Sequence, residues 1–262
     1  MAGFSVCATG RSRPVMSVHF PPPYTLLPQL QAHVRQAGYA ALAPDAVAAL
    51  AGVSLAELQA LQGEWDGLPP DTWLRDGGRY RRRRHGCFIA EAGHLQPVAH
   101  RAHWQSTDYN ALHGGIARWF EPLTPRLTAQ PAFERLVLAL GGVATALSAV
   151  SRWHVEVHPF RIDTTDGIGR PTPEGAHRDG VDYVAVLLVA RVGMKGGETR
   201  VFEADGPQGQ RFTLAAPWSL LLMDDARMIH ETTPIQPEQA DVPGHRDTLV
   251  ITWRRGAFQG ED

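Results

Sequence analysis

The chain lacks most of the features that mark specialised protein classes. It holds two cysteines, Cys7 and Cys87, in 262 residues. Two make no disulfide framework, so a reducing cytosol is the expected compartment. No apolar run reaches 18 residues, which argues against a spanning helix. The opening MAGFSVCATGRSRPVMSVHF lacks the apolar core of a secretory signal. The net charge of −2 gives no excess of either sign, so a general nucleic-acid binder is disfavoured. Asparagine occurs once, as Asn110, and no G-x-G-x-x-G loop is present; DGIGRP at 166–171 stops short. These two shortages matter because His-Arg-Asp occurs twice, in HRDG (177–180) and HRDT (245–248). A protein-kinase catalytic loop needs an Asn a few residues after its Asp. Neither copy has one, and a kinase is excluded.

What is present is ordinary globular composition, 44% hydrophobic and 20% charged. Met16 is an alternative start, and residues 1–20 read as a flexible arm ahead of a single domain over 21–262. Residues 21–150 read as mainly helical support. Leu26, Leu27, Leu30 and Val34 share one helical face, and Ser54-x-x-Glu57 is a capping box. DYNALHGGIARWFEPL and PAFERLVLALGGVATALSAV read as two further helices, with strands in RYRRRRHGCFIAE and LQPVAHRAHWQ between. Residues 151–255 read as the main strands: WHVEVHPFRI, VDYVAVLLVAR, TRVFEA, QRFTLA, WSLLLMD, ARMIHETTPI and RDTLVITWR. Turn-rich segments separate them, as in a β-sandwich or barrel. The fold class is α+β, with helices packed on an all-β core.

With 12 histidines in the chain, a lone His-x-Asp match is expected by chance. Context makes the first copy more. In a strand, residues i and i+2 share a face, so His177 and Asp179 can converge on one ion. His230, in a second strand-like stretch, is a third ligand from a distant strand. Two histidines and one carboxylate form the facial triad of non-haem Fe(II) oxygenases. In HRDTLVITWR the faces separate again. Arg246, Thr248, Val250 and Thr252 lie on one side, and Leu249, Ile251 and Trp253 on the other. The greasy side suits the helices. On the polar side a buried guanidinium needs an anion. Arg246 with Thr248 is the candidate anion site, and Arg254 is the alternative.

His-x-Asp, a distal His and then Arg-x-Thr, in that order, resemble the Fe(II)/2-oxoglutarate-dependent dioxygenase superfamily. AHRDGVDYVAVLLVARVGMKGGETRVF, LLMDDARMIHETTPI and HRDTLVITWR resemble a bacterial branch containing hydroxylases of L-isoleucine and other aliphatic amino acids, and biofilm-stress proteins. The resemblance implies a double-stranded β-helix (jelly roll) wrapped by N-terminal helices. It implies Fe(II) on His177, Asp179 and His230, and 2-oxoglutarate held by Arg246 and Thr248. It also implies O₂-dependent hydroxylation of a small substrate, most simply a free aliphatic L-amino acid, with no nucleic-acid or membrane partner. Because Asp179 keeps a carboxylate where related halogenases have a small residue, halogenation is disfavoured. The loop over 163–175 is a candidate lid.

Three further readings accompany this one. His154, Glu156 and His158 share a strand face and make an alternative, cupin-like metal set. Side chains on one strand face lie about 7 Å apart, however, and a compact ion prefers ligands from several strands. His158 or Arg161 is a candidate contact for a substrate's polar end. The arginine run at 79–84 reads as a strand with solvated side chains, one or two of them turned inward to a carboxylate. The functional alternatives are a metal-dependent jelly-roll enzyme of other chemistry and a non-catalytic stress protein retaining the fold.

Overall fold

The computed structural model describes residues 20–260, so the expected arm over 1–20 lies almost wholly outside the described residues. The order begins α1 (Leu30–Ala37), β1 (Tyr39–Leu42), α2 (Pro44–Ala51), α3 (Leu55–Gln59), β2 (Arg81–Arg83), β3 (Gly86–Glu91) and β4 (His94–Pro97). It continues α4 (Pro125–Thr128), α5 (Pro131–Ser148), β5 (Arg152–Asp163), β6 (Tyr183–Val192), β7 (Met194–Gly196) and β8 (Thr199–Glu203). It closes with β9 (Gly209–Phe212), β10 (Leu220–Asp224), β11 (Met228–Thr232), β12 (Ile235–Pro237) and β13 (His245–Arg254).

Local chemistry sets several boundaries. Ser54 accepts from the Glu57 amide and the Glu57 carboxylate accepts from the Ser54 amide, so the capping box opens α3. Gly38 stops α1 in the left-handed region, at φ 80°, and a Cβ there would collide with Met228. α5 is long and apolar enough to span a membrane by length and composition alone. Here its Phe133, Leu136, Val137 and Leu140 are buried in the core instead.

The main sheet runs β1-β10-β6-β13-β5-β3-β4, with β2 also paired to β5, and all its pairs are antiparallel. A smaller sheet holds β11-β8-β9, and β12 pairs with β7. Strand alternation sorts the two faces of the main sheet. Trp153, Val155, Val157, Leu249, Ile251 and Trp253 join α1, α2 and α5 in the largest core cluster. On the other face Val184, Leu188, Leu221 and Met223 pack against Val201, Phe212 and Met228 of the smaller sheet. The molecule is therefore a helix layer, a large antiparallel sheet and a small one, with a cavity in the second gap.

Three sequence expectations are corrected. Residues 108–123 form turns, not a helix. Asn110 Oδ1 accepts from His113 N at 2.7 Å, and a Cβ at Gly114 would press on the carbonyls of Ser106 and Asn110. The supporting segment is also less helical than its sequence suggests, because β1 enters the main sheet beside the strands expected in β2, β3 and β4. The turn expected at GMKGGE includes β7.

Candidate active site

His177 and His230 lie on facing segments bridged through their backbones. His177 N donates to His230 O at 3.0 Å, and His230 N to His177 O at 2.9 Å. Asp179 sits between the two rings, with Oδ1 3.6 Å from His177 Nε2 and Oδ2 3.9 Å from His230 Nε2. The three side chains offer donor atoms within 4.8 Å of one another and could hold a metal. His177 Nδ1 donates to Gly175 O at 2.9 Å, which leaves Nε2 to face Asp179.

Charge at this cluster is unbalanced in a telling way. Burial pushes the His177 imidazole down, but its hydrogen bond and attraction to Asp179 prevail and raise it to about 10. Burial works against the Asp179 carboxylate, and His177 outweighs it, holding Asp179 well below the usual range. His230 is pushed down to about 4 by burial and then by His177. The three groups thus want one positive charge among them, and a proton on His177 meets that need where a cation would. The peptide around Asp179 is fixed from below. Asp225 accepts from the amides of Asp179 (2.9 Å), Gly180 (2.7 Å) and Val181 (3.1 Å). From the side, Gln105 Nε2 reaches Asp179 Oδ1 at 3.2 Å, and Gln259 Nε2 reaches Asp179 O at 2.8 Å.

The cavity over these groups takes in about 920 Å³, counting the part open to solvent. Arg246, Thr248, Val250 and Thr252 of β13 line it, while Leu249, Ile251 and Trp253 point into the helix-side core. Arg246 is 3% exposed, and its Nε and Nη2 have no hydrogen-bond partner among the described residues. Burial, then Arg191, pushes its guanidinium down to about 9. A buried cation in this state calls for an anion. Arg254, the alternative anchor, donates to Ala257 O at 2.7 Å and does not line the cavity.

Arg161 does not reach a substrate in this cavity. The cavity face of β5 carries Glu156, His158, Phe160 and Ile162, all even-numbered, so period two turns Arg161 away. Its guanidinium is held by Asp247 at 2.8 and 2.7 Å and by Asp66 at 3.0 Å. His158 does line the cavity. The alternative metal set is also redrawn. His154 packs edge-on against Phe258, and the buried cluster around Glu156 consists of His85, His103 and His158. Sequence reading missed His85 and His103, whose loop positions carry no period. It also missed Asn110 and Arg118, which line the cavity from the turn-rich segment misread as helix, and Gln105, which lies just before that segment. The arginine run was better marked. Arg81 and Arg83 share one face of β2 and both line the cavity, Arg81 with its Nε on Asp71 at 2.7 Å. The loop over 163–175 is pinned by the Gly169–Ile235 bridge and by Thr172 with Thr232.

Comparison with known proteins decides the family: the model for 2OG-Fe dioxygenases matches residues 62–252. The chain belongs to the 2OG-Fe dioxygenase family. It is 24% identical over 206 residues to 3(1)-hydroxy-L-isoleucine 4-dioxygenase of Pantoea ananatis, covering 77% of this chain and 82% of that one. The crystal structure of a bsmA homolog from Methylobium petroleophilum matches with a TM-score of 0.87 and 50% identity, over 92% of this chain and 98% of that one. IDO from Bacillus thuringiensis matches with a TM-score of 0.72 over 88% of this chain and 100% of that one. At 17% identity that likeness speaks for the fold alone. This dioxygenase therefore uses Fe(II) and 2-oxoglutarate, with O₂ and a small molecule as further substrates.

The residues present fit both groups. Two imidazoles and a carboxylate suit Fe(II) and leave positions for substrate and O₂. The orphaned guanidinium nitrogens of Arg246, in the same cavity, suit a carboxylate of 2-oxoglutarate.

Proposed function

We propose that this dioxygenase hydroxylates a free aliphatic L-amino acid. In this reading His177, Asp179 and His230 hold Fe(II), and Arg246 and Thr248 hold the distal carboxylate of 2-oxoglutarate. The facing antiparallel sheets are read as a jelly roll, and residues 21–262 as one domain acting together. The observation that carries the reading is the unpartnered, buried Arg246 opening onto the same cavity as the three convergent ligands.

Bound iron with 2-oxoglutarate supplies the oxidising power that puts one O₂ oxygen into a substrate C–H and the other into succinate. This chain's own residues position and shelter. Gly175 O fixes the His177 tautomer, so Nε2 is the free nitrogen. Asp225 and Gln105 hold Asp179 in place. Thr248 and Thr252 give the floor polar atoms, while Phe160, Ile162, Val181, Val186 and Val250 line it with apolar surface. That apolar patch suits an aliphatic side chain and keeps water from the reacting carbon. The substrate named for the Pantoea ananatis relative is a hydroxylated L-isoleucine, which supports the amino-acid class. A panel of the twenty amino acids with Fe(II) and 2-oxoglutarate tests it. One or more aliphatic members should gain one oxygen atom with matching succinate. If only non-amino-acid substrates do so, the substrate class is wrong.

A further inference from the structure

Two cavity-lining arginines remain without an anion once Arg246 is assigned to 2-oxoglutarate. Arg83 is 4% exposed and Arg118 is 2% exposed, and the Nε of each has no partner among the described residues. Arg83 lies between two phenylalanine rings, 3.8 Å from the Phe120 centroid and 4.3 Å from that of Phe160. Its Nη2 donates to His158 Nδ1 at 2.6 Å. Arg118 Nη2 donates to Gln105 Oε1 at 2.9 Å, and the same Gln105 reaches Asp179 through its Nε2. Arg118 is thus one amide away from a proposed iron ligand. Burial pushes both guanidiniums below their ordinary value, Arg118 to about 10.

These arginines form a site separate from Arg246. Across β13, β5 and β2 the register runs Arg246, Ile162, Arg81, and in the next row Thr248, Phe160, Arg83. Two strand spacings, roughly 10 Å, separate the two arginine-bearing strands. Arg81 has Asp71 as its own partner; among the described residues Arg83 and Arg118 have no carboxylate of their own.

Beside them sits a buried anion. Glu156 Oε2 lies 2.7 Å from His103 Nδ1, 3.0 Å from His85 Nε2 and 3.5 Å from His158 Nε2. Three histidines and a glutamate could hold a metal, but the tautomers argue for another role. Arg83 can only donate, so His158 Nδ1 must accept and its neutral ring carries the proton on Nε2. His158 therefore offers Glu156 an N–H and has no lone pair there for an ion. Burial works against the Glu156 carboxylate, yet His103, His158 and His85 together hold it well below its ordinary range. Glu156 also lines the cavity. Arg81, Arg83, Arg118 and Arg246 are matched in number by Asp71, Glu156, Glu174 and Asp179. The charges of Fe(II) and 2-oxoglutarate cancel, so a ligand with no net charge fits the remaining space.

We propose that Arg83 and Arg118 form the subsite for a substrate carboxylate, and that Glu156, fixed by three imidazole N–H groups, receives the substrate's ammonium. The site so built selects a zwitterion. The inference rests on the amino-acid reading above and adds which residues grip the two charges.

The test is calorimetric binding to the protein loaded anaerobically with Fe(II) and 2-oxoglutarate. The probes are L-isoleucine, L-leucine and L-valine, each with its amide, which lacks the carboxylate charge, and its deaminated acid, which lacks the ammonium. In the wild type both analogues should bind about 10- to 100-fold more weakly than the parent amino acid. Arg83→Gln and Arg118→Gln should each weaken the parent by a similar factor and leave the amide nearly unaffected, so that the discrimination disappears. Circular dichroism checks that the variants fold, and the wild-type analogue series needs no variant. Equal wild-type affinity for amide and free acid overturns the carboxylate subsite. So does unchanged affinity of both variants for an amino acid that the wild type binds; in that case the amino-acid reading stands and only the subsite falls. If the wild type binds and hydroxylates none of the three, both fall together. A second metal equivalent per chain, lost in His103→Gln, overturns the role given to Glu156.

Discussion

Asp225 does not line the cavity, yet three amides around Asp179 end on its carboxylate. Burial, and then the nearby Asp179 charge, raise it to about 7. Asp225→Ala leaves those amides without their acceptor. It should cost about 2–4 kcal/mol in chemical unfolding, because buried donors left unpaired lose their full desolvation penalty. It should also weaken iron binding by about 10- to 100-fold, since the ligand loop loses its support. Asp225→Asn keeps one acceptor oxygen and should cost less on both counts; equal losses for the two variants would speak against the hydrogen-bonding account. His177→Ala and Asp179→Ala should each abolish iron-dependent succinate formation. Wild-type turnover in either variant would show the metal set to be misassigned. Arg246→Gln should raise the KM for 2-oxoglutarate by about 10- to 100-fold, the loss of a charge-assisted pair, and an unchanged KM would move the anchor elsewhere. These residues were legible to different degrees. His177, Asp179, His230 and Arg246 share spacing and period. Asp225 reads only as part of a turn, because its partners are backbone amides brought to it by the fold.

At the scale of the element, β13 shows why alternation carried so far. It pairs with β5 in unbroken register over ten residues, and although its register with β6 shifts between Asp247 and Thr248, its cavity face and core face never exchange. Ile251→Ala should therefore cost about 2–5 kcal/mol in urea unfolding by opening the helix-side core, while the KM for 2-oxoglutarate stays near wild type. A stability loss under about 1 kcal/mol would contradict the face assignment. The segment over 108–123 shows the opposite case. Its apolar residues fit a helical period, but the Asn110 side chain and the close approach at Gly114 fold it into turns. Arg118 was hidden for the same reason. Gly180 belongs at this scale too. It holds φ 79° just after Asp179, and a Cβ there would collide with the Tyr109 ring. Gly180→Ala should destabilise the protein by about 1–3 kcal/mol and loosen iron binding; a neutral effect on both would show that the ligand loop tolerates a shift.

For the whole molecule, a layer of helices backs a large antiparallel sheet, and the working cavity lies between that sheet and the smaller one. Its character comes from buried charge: Arg246 on β13, Glu156 on β5, Arg83 on β2 beyond it, and Arg118 in the turn-rich segment. The α+β class and the strands after residue 151 were legible because those strands are long, apolar and turn-bounded. β1 was harder to read, being only four residues long and continuous with the helical pattern before it, whereas β2, β3 and β4 fall in stretches already read as strands. β2 and β3 both pair with β5. The central claim is that this cavity couples 2-oxoglutarate oxidation to hydroxylation of a free aliphatic amino acid. The most direct measurement incubates the purified protein with Fe(II), 2-oxoglutarate, air and each aliphatic L-amino acid, and quantifies succinate and oxygenated product together. The account predicts equal amounts of both with at least one amino acid, and neither after the iron is removed by a chelator. Succinate formed at the same rate without iron, or no oxygenated product from any aliphatic amino acid, would contradict it.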